Sequence, residues 1–128
     1  MKKLVSCMLL ACLPLACAPV VHSAGRTYSD PSATITVKQG EEFTISLDSN
    51  RTTGYRWMLA GEPDGRVVRH LKTDYLPAGN RRTGAGGLEV WSFVAVSRGK
   101  TVVTLHYLRP WEKDASPARK VEFSVLVE

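Results

Sequence analysis

From Ile35 onward the apolar residues recur at every second position, and that period decides what the chain can become. "TITV" sets Ile35 and Val37 on one face. "FTISL" points Phe43, Ile45 and Leu47 inward, with Thr44 and Ser46 outward. "YRWML" does the same with Tyr55, Trp57 and Leu59, and "VVRHLKTDY" follows as a weaker strand of irregular pattern. "LEVWSFVAV" offers Trp91, Phe93 and Ala95 on one face and Val90, Val94 and Val96 on the other. "TVVTLHY" alternates Val103, Leu105 and Tyr107 with Thr104 and His106, and "KVEFSVLVE" alternates Val121, Phe123, Val125 and Val127 with Glu122 and Ser124. A period of two belongs to a strand, because successive side chains leave a pleated backbone on opposite faces. No helix of any length can be placed. About seven short strands, rich in Val, Thr and aromatic residues and punctuated by Gly and Pro, predict an all-β, immunoglobulin-like sandwich.

That sandwich has to hold without disulfides. Cys7, Cys12 and Cys17 are the only cysteines, and all lie in the opening segment "MKKLVSCMLLACLPLACAPVVHSA". Two lysines, a short apolar run and then small residues give that segment the layout of an export signal. The run contains Pro14 and is shorter than the roughly 18 to 20 residues of a permanent bilayer span. The expected organisation is a signal peptide over residues 1–24, a polar tether over 25–32 and one domain over 33–128. "PLAC" ending at Cys17 has the form of a bacterial lipoprotein signal, apart from Pro14. "LLAC" ending at Cys12 and plain cleavage after Ser23 are the alternatives. The expected location is a bacterial periplasm or envelope, lipid-anchored or free, or the outside medium. The chain carries +5, and without Lys2 and Lys3 about +3, too mild a surplus to imply nucleic acid.

If the strands run up and down the sandwich, every second connection falls at the same end. "KQGE", "AGEPDGR" and "SRGK" are ordinary turns. "DSNRTTG", "LPAGNRRTGAGG" and "LRPWEKDASPAR" are longer and less ordinary, and they collect at the other end. Loops held by a rigid scaffold are a common way to build a binding surface.

Catalysis is disfavoured at such a tip. A Ser or Thr nucleophile needs a nearby base, and His70 and His106 both fall within strands. Two separated histidines and scattered acids make no metal set, and no glycine-rich phosphate motif opens a helix. No cofactor is implied. Binding a protein fits better. Trp111, beside Arg109 and stiffened by Pro110, has the character of an interface anchor, although a Trp folded back over the sandwich edge reads the same way. Gly84, Gly86 and Gly87 let backbone approach another surface closely, or simply leave a floppy loop. Asn50 begins the glycosylation sequon Asn-Arg-Thr.

"SNRTTGYRW", "GAGG" and "YLRPW", in this order and spacing, resemble the chagasin family of inhibitors of papain-type cysteine proteases. The family pattern is Asn-Pro-Thr-Thr-Gly-aromatic, then Gly-x-Gly-Gly, then Arg-Pro-Trp. The likeness runs from about Ala33 to the C-terminus. It implies a monomeric immunoglobulin-like sandwich whose B–C, D–E and F–G loops fill the active-site cleft of a papain-family protease. Carried over, Asn50, Arg51, Thr52, Thr53, Gly54 and Tyr55 form the B–C wedge, with Thr52 and Thr53 beside the enzyme's Cys and His. Gly84, Ala85, Gly86 and Gly87 lie along the substrate cleft. Arg109, Pro110 and Trp111 form the outer arm. Arg51 departs from the pattern, which has Pro; the expectation is a less stiff loop with a charge at its tip and altered affinity or target preference. The competing expectation is a non-inhibitory adhesion or structural module of the envelope, since fold alone does not imply function.

Overall fold

A computed structural model describes residues 25–78 and 86–128. Among them are eight strands: β1 (Arg26–Tyr28), β2 (Ile35–Val37), β3 (Glu42–Ser49), β4 (Arg56–Leu59), β5 (Val68–Pro77), β6 (Gly87–Ala95), β7 (Gly99–Leu108) and β8 (Arg119–Val127). They form two four-stranded sheets, in the order β1-β3-β6-β5 and β2-β8-β7-β4. β1 runs parallel to β3 and β2 parallel to β8; the other pairings are antiparallel. The immunoglobulin-like sandwich expected from the alternation is the observed fold.

The core forms where the inner faces meet. Phe43, Ile45 and Leu47 of β3 and Trp91, Phe93 and Ala95 of β6 pack against Trp57, Val103, Leu105, Phe123, Val125 and Val127 of the opposite sheet. Phe43 and Phe93 stack with ring centroids 5.4 Å apart. These are the inward residues of the period-two reading. Tyr55, Leu59, Tyr107 and Val121 are only partly buried, because they lie toward the ends of the sandwich.

Two features depart from the sequence reading. The segment expected to be a tether contributes β1, whose residues Arg26, Thr27 and Tyr28 lie opposite Phe43, Thr44 and Ile45. The Thr27 and Thr44 hydroxyls are 2.8 Å apart, and Tyr28 meets Phe43 edge-on. A side chain at Gly25 would run into the carbonyl of Glu42, so glycine permits this approach. Being parallel to β3, β1 begins at the end of the sandwich away from the long loops.

The irregular strand β5 contains a bulge. His70 pairs with Phe93, but Lys72 pairs with the next residue, Ser92, which leaves Leu71 as the extra residue. One inserted residue exchanges the two faces of everything beyond it. Thr73, Tyr75 and Pro77 therefore share the face of Trp91, Glu89 and Gly87, where strict alternation from Val68 would have put Lys72, Asp74 and Leu76.

With no cysteine among the described residues, the core is the chief source of stability. Phe93→Ala should cost about 3–5 kcal/mol, read as a lower midpoint in urea at unchanged slope. Reductant should leave the unfolding curve of the wild type where it is.

Candidate functional site

The register brings three connections to one end. Ser49 and Pro77 both lie opposite Gly87, Arg56 lies opposite Leu108, and Tyr107 lies opposite Arg119. The connections 50–55 and 109–118 and the two described ends of the middle connection, Ala78 and Gly86, thus lie side by side. Gly84 and Ala85 lie outside the described residues, as does Cys17.

The first loop is a closed unit. Asn50 caps a single 3-10 turn over Arg51–Thr53. Its side-chain oxygen accepts from the Thr52 N–H, and its carbonyl accepts from the Thr53 N–H (3.3 Å) and the Thr53 hydroxyl (2.7 Å). Such capping is what Asn does best at the start of a turn. The Thr52 hydroxyl donates to the Asn50 side-chain oxygen as well. Gly54 closes the turn at φ +80°, donating its N–H to the Arg51 carbonyl at 3.1 Å. That left-handed conformation is cheap only for glycine. At the root, the Asn50 N–H donates to the Tyr107 hydroxyl at 2.9 Å, and Tyr55 stacks on the Tyr107 ring.

The third loop is fastened to the first. Arg109 donates from Nε to the Thr53 carbonyl at 3.2 Å, lies over the Tyr55 ring at 4.5 Å and pairs with Glu112 at 3.2 Å. The ring of Trp111 occupies the space where a Gly54 side chain would be. Trp111 is nonetheless 63% exposed. It is neither free of the sandwich nor folded away, since one edge rests on Gly54 and the rest faces solvent. Pro110 is half-buried within the turn that the Glu112 N–H closes onto the Arg109 carbonyl.

At the root of the middle loop the glycines serve internal packing. A side chain at Gly87 would strike the Leu76 carbonyl and the Tyr75 ring, and one at Gly86 would press on the Ser49 carbonyl at 3.3 Å. Both positions let the middle loop's base lie against its neighbours.

Arg51 does not carry a loose charge at the tip. Its guanidinium lies over the Tyr75 ring at 4.4 Å and within 3.8 Å of the Glu89 carboxylate. Glu89 is 1% exposed, and its other oxygen accepts the Trp57 N–H at 2.9 Å. Sequence reasoning missed Glu89, Tyr75 and Arg119, whose guanidinium lies over Trp57. Glu89 carried a signal: it is in phase with Trp91, Phe93 and Ala95, so the alternation points it inward.

Neither histidine lies in the three connections. His70 packs on Trp91 and Phe93, and His106 lies near the loop end of β7, opposite Met58 and Lys120. No group of three or more potential metal ligands occurs among the described residues.

A sandwich that fastens loops together at one end and leaves a Trp exposed on them is a loop-presenting binding protein. Comparison with known proteins makes that class specific. The profile described as chagasin family peptidase inhibitor I42 matches residues 36–125. The chain is 35% identical over 88 residues to Chagasin of Trypanosoma cruzi, covering 66% of this chain and 80% of that protein. Among solved structures, that of Amebosin superposes with a TM-score of 0.66 at 26% identity, covering 81% of this chain and 98% of the other. PbICP-C, solved in complex with falcipain-2, shares the fold with a TM-score of 0.59 at 17% identity, covering 81% and 99%. The chain belongs to the chagasin family of peptidase inhibitors.

Gly54→Ala meets both the left-handed backbone and the Trp111 ring. It should cost about 1–3 kcal/mol from the backbone alone and displace Trp111. Tryptophan fluorescence should report this as a change in the solvent-exposed component while the buried Trp57 and Trp91 signals persist.

Proposed function

We propose that this protein is a reversible, tight-binding inhibitor of papain-family cysteine proteases that acts as a monomer and fills the active-site cleft with its three loops. The observation that carries the reading is the fastening of Thr53, Gly54 and Tyr55 to Arg109 and Trp111, in a chain of a peptidase-inhibitor family. Rigid loops lose little entropy on docking, so more of the contact energy appears as affinity. Thr52 and Thr53 enter beside the enzyme's nucleophile, Gly84 to Gly87 lie along the cleft, and Trp111 packs on the enzyme's outer surface as an anchor.

The same hydrogen bonds oppose cleavage of the wedge. Cleavage requires a peptide carbonyl to enter the oxyanion hole and accept its donors. The Asn50, Arg51 and Thr53 carbonyls already accept from Thr53, Gly54 and Arg109. The 3-10 turn also keeps this backbone from the extended shape of a substrate strand.

Titration of papain with the protein should give stoichiometric loss of activity; none at micromolar concentration would sink the reading in favour of a non-inhibitory envelope module. Trp111→Ala should raise the inhibition constant about 30-fold or more, the equivalent of a 2 kcal/mol hot spot. Arg109→Ala frees the Thr53 carbonyl, and the loop should then be cut slowly after Thr53, visible by intact mass; the wild type should remain whole.

We also propose export directed by the opening segment 1–24, with cleavage before Cys17 and lipid attachment to it in a bacterial envelope. β1 begins at the end remote from the loops, which suits an anchor there because the inhibitory edge would face away from the membrane. Intact mass of the membrane fraction tests this: a lipid-modified Cys17 is expected, and an unmodified chain starting after Ser23 would contradict it.

A further inference from the structure

We infer that Arg51, Tyr75 and Glu89 form a positioning device that fixes the Asn50–Gly54 turn onto the root of the middle loop, so that the two present one surface to the protease. This rests on the reading of the three loops as the protease-binding edge.

The geometry is a stack with a charged base. Gly87, on β6, has no side chain where the Tyr75 ring lies. The Arg51 guanidinium covers that ring at 4.4 Å and reaches the Glu89 carboxylate at 3.8 Å. Tyr75 belongs to β5, the strand leading into the middle loop, and Gly87 and Glu89 to β6, the strand leading out of it. One side chain of the first loop is thereby tied to both strands of the second. Planar stacking together with charge pairing is a guanidinium property that an ammonium does not reproduce. Glu89 is itself held by the Trp57 N–H, so the base of the stack is fixed to the opposite sheet.

The device acts on the turn's population. Arg51 is the first residue of the 3-10 turn, and its carbonyl receives the Gly54 N–H that closes it. Holding the side chain restrains the backbone that carries this bond. Without the restraint, a smaller share of free molecules has the docking shape, and apparent affinity falls by that fraction.

The test compares Arg51→Ala, Arg51→Lys, Arg51→Pro, Tyr75→Leu and Glu89→Gln with the wild type, in two measurements. The first is the association rate with papain. Arg51→Ala should associate about tenfold more slowly with a nearly unchanged off-rate. Arg51→Lys and Tyr75→Leu should resemble it. Arg51→Pro should recover rate relative to Arg51→Ala, since the first residue of a helical turn has the φ that proline fixes. Glu89→Gln should slow association in the Arg51 protein but add nothing in the Arg51→Ala background. The second measurement needs no protease: amide exchange at Thr53 and Gly54 in the free protein should quicken about tenfold in Arg51→Ala and less in Arg51→Pro.

Exchange and association both unchanged in Arg51→Ala and Tyr75→Leu would overturn the inference, as would Arg51→Lys matching the wild type. If the wild type fails to inhibit papain while Arg51→Ala quickens exchange at Gly54, the positioning device stands and the inhibitor reading falls. Half of the Arg51 side chain is exposed, and Glu89 keeps the Trp57 amide in every Arg51 variant, so the core packing is retained while any cost of the unpaired carboxylate is read from the melting temperature. A lowered melting temperature confined to Glu89→Gln therefore leaves the Arg51 and Tyr75 comparisons decisive.

Discussion

Glu89 is a carboxylate buried in a largely apolar sandwich, and the loop end of the molecule is arranged around it. It projects from β6, in one sheet, and accepts the N–H of Trp57 on β4, in the other. Buried charge is unfavourable unless it is paired and hydrogen-bonded. Here one oxygen takes the Trp57 amide and the other faces Arg51. The Trp57 indole in turn donates to the Asp48 carbonyl at 2.9 Å, just below the Asn50 cap. A single acidic side chain therefore links the two sheets and gives the first loop a fixed partner. In a fold with no disulfide among its described residues, this polar contact adds direction to a core that is otherwise held by non-directional burial.

The first loop is held from both sides by the same chemistry used twice. Arg51 lies over Tyr75 and pairs with Glu89 on the side of the middle loop. Arg109 lies over Tyr55 and pairs with Glu112 on the side of the third. In each case a planar cation meets both an aromatic ring and a carboxylate, two contacts that restrain it more than either alone. The two are not equal in burial. Glu89 is enclosed whereas Glu112 is partly exposed, but Arg51 is the more exposed cation and its pair is the longer, 3.8 Å against 3.2 Å, while Arg109 also bonds the Thr53 carbonyl.

Much of this was legible in the chain before any coordinates. The period of two named the core residues of β3, β6, β7 and β8, because burial of one face imposes that period directly. The grouping of the three long loops followed from the same alternation plus up-and-down connectivity. β1 was not legible: Arg-Thr-Tyr has no apolar alternation, and its pairing with β3 depends on backbone groups that every residue carries. The bulge after His70 was visible only as irregularity, since either phase of β5 buries some apolar residue. That one ambiguity hid the rest. With the faces of β5 undecided, Tyr75 had no assigned side, and Arg51 had no visible partner, so it read as a charge left at the tip.

The residue at position 51 shows two physical routes to the same end. A proline at the start of a turn restricts the unfolded chain and adds no side-chain tie to the middle loop. An arginine there leaves the backbone freer but ties the loop to neighbouring strands through a long side chain, whose ordering carries its own entropy cost. The first route is local and indifferent to context. The second works only because Gly87 leaves room for Tyr75, the bulge turns Tyr75 inward, and the Trp57 amide steadies Glu89. It also does something the proline cannot, since one side chain ties the first loop to both strands of the middle loop. Rigidity from proline belongs to one loop; rigidity from Arg51 is shared by two.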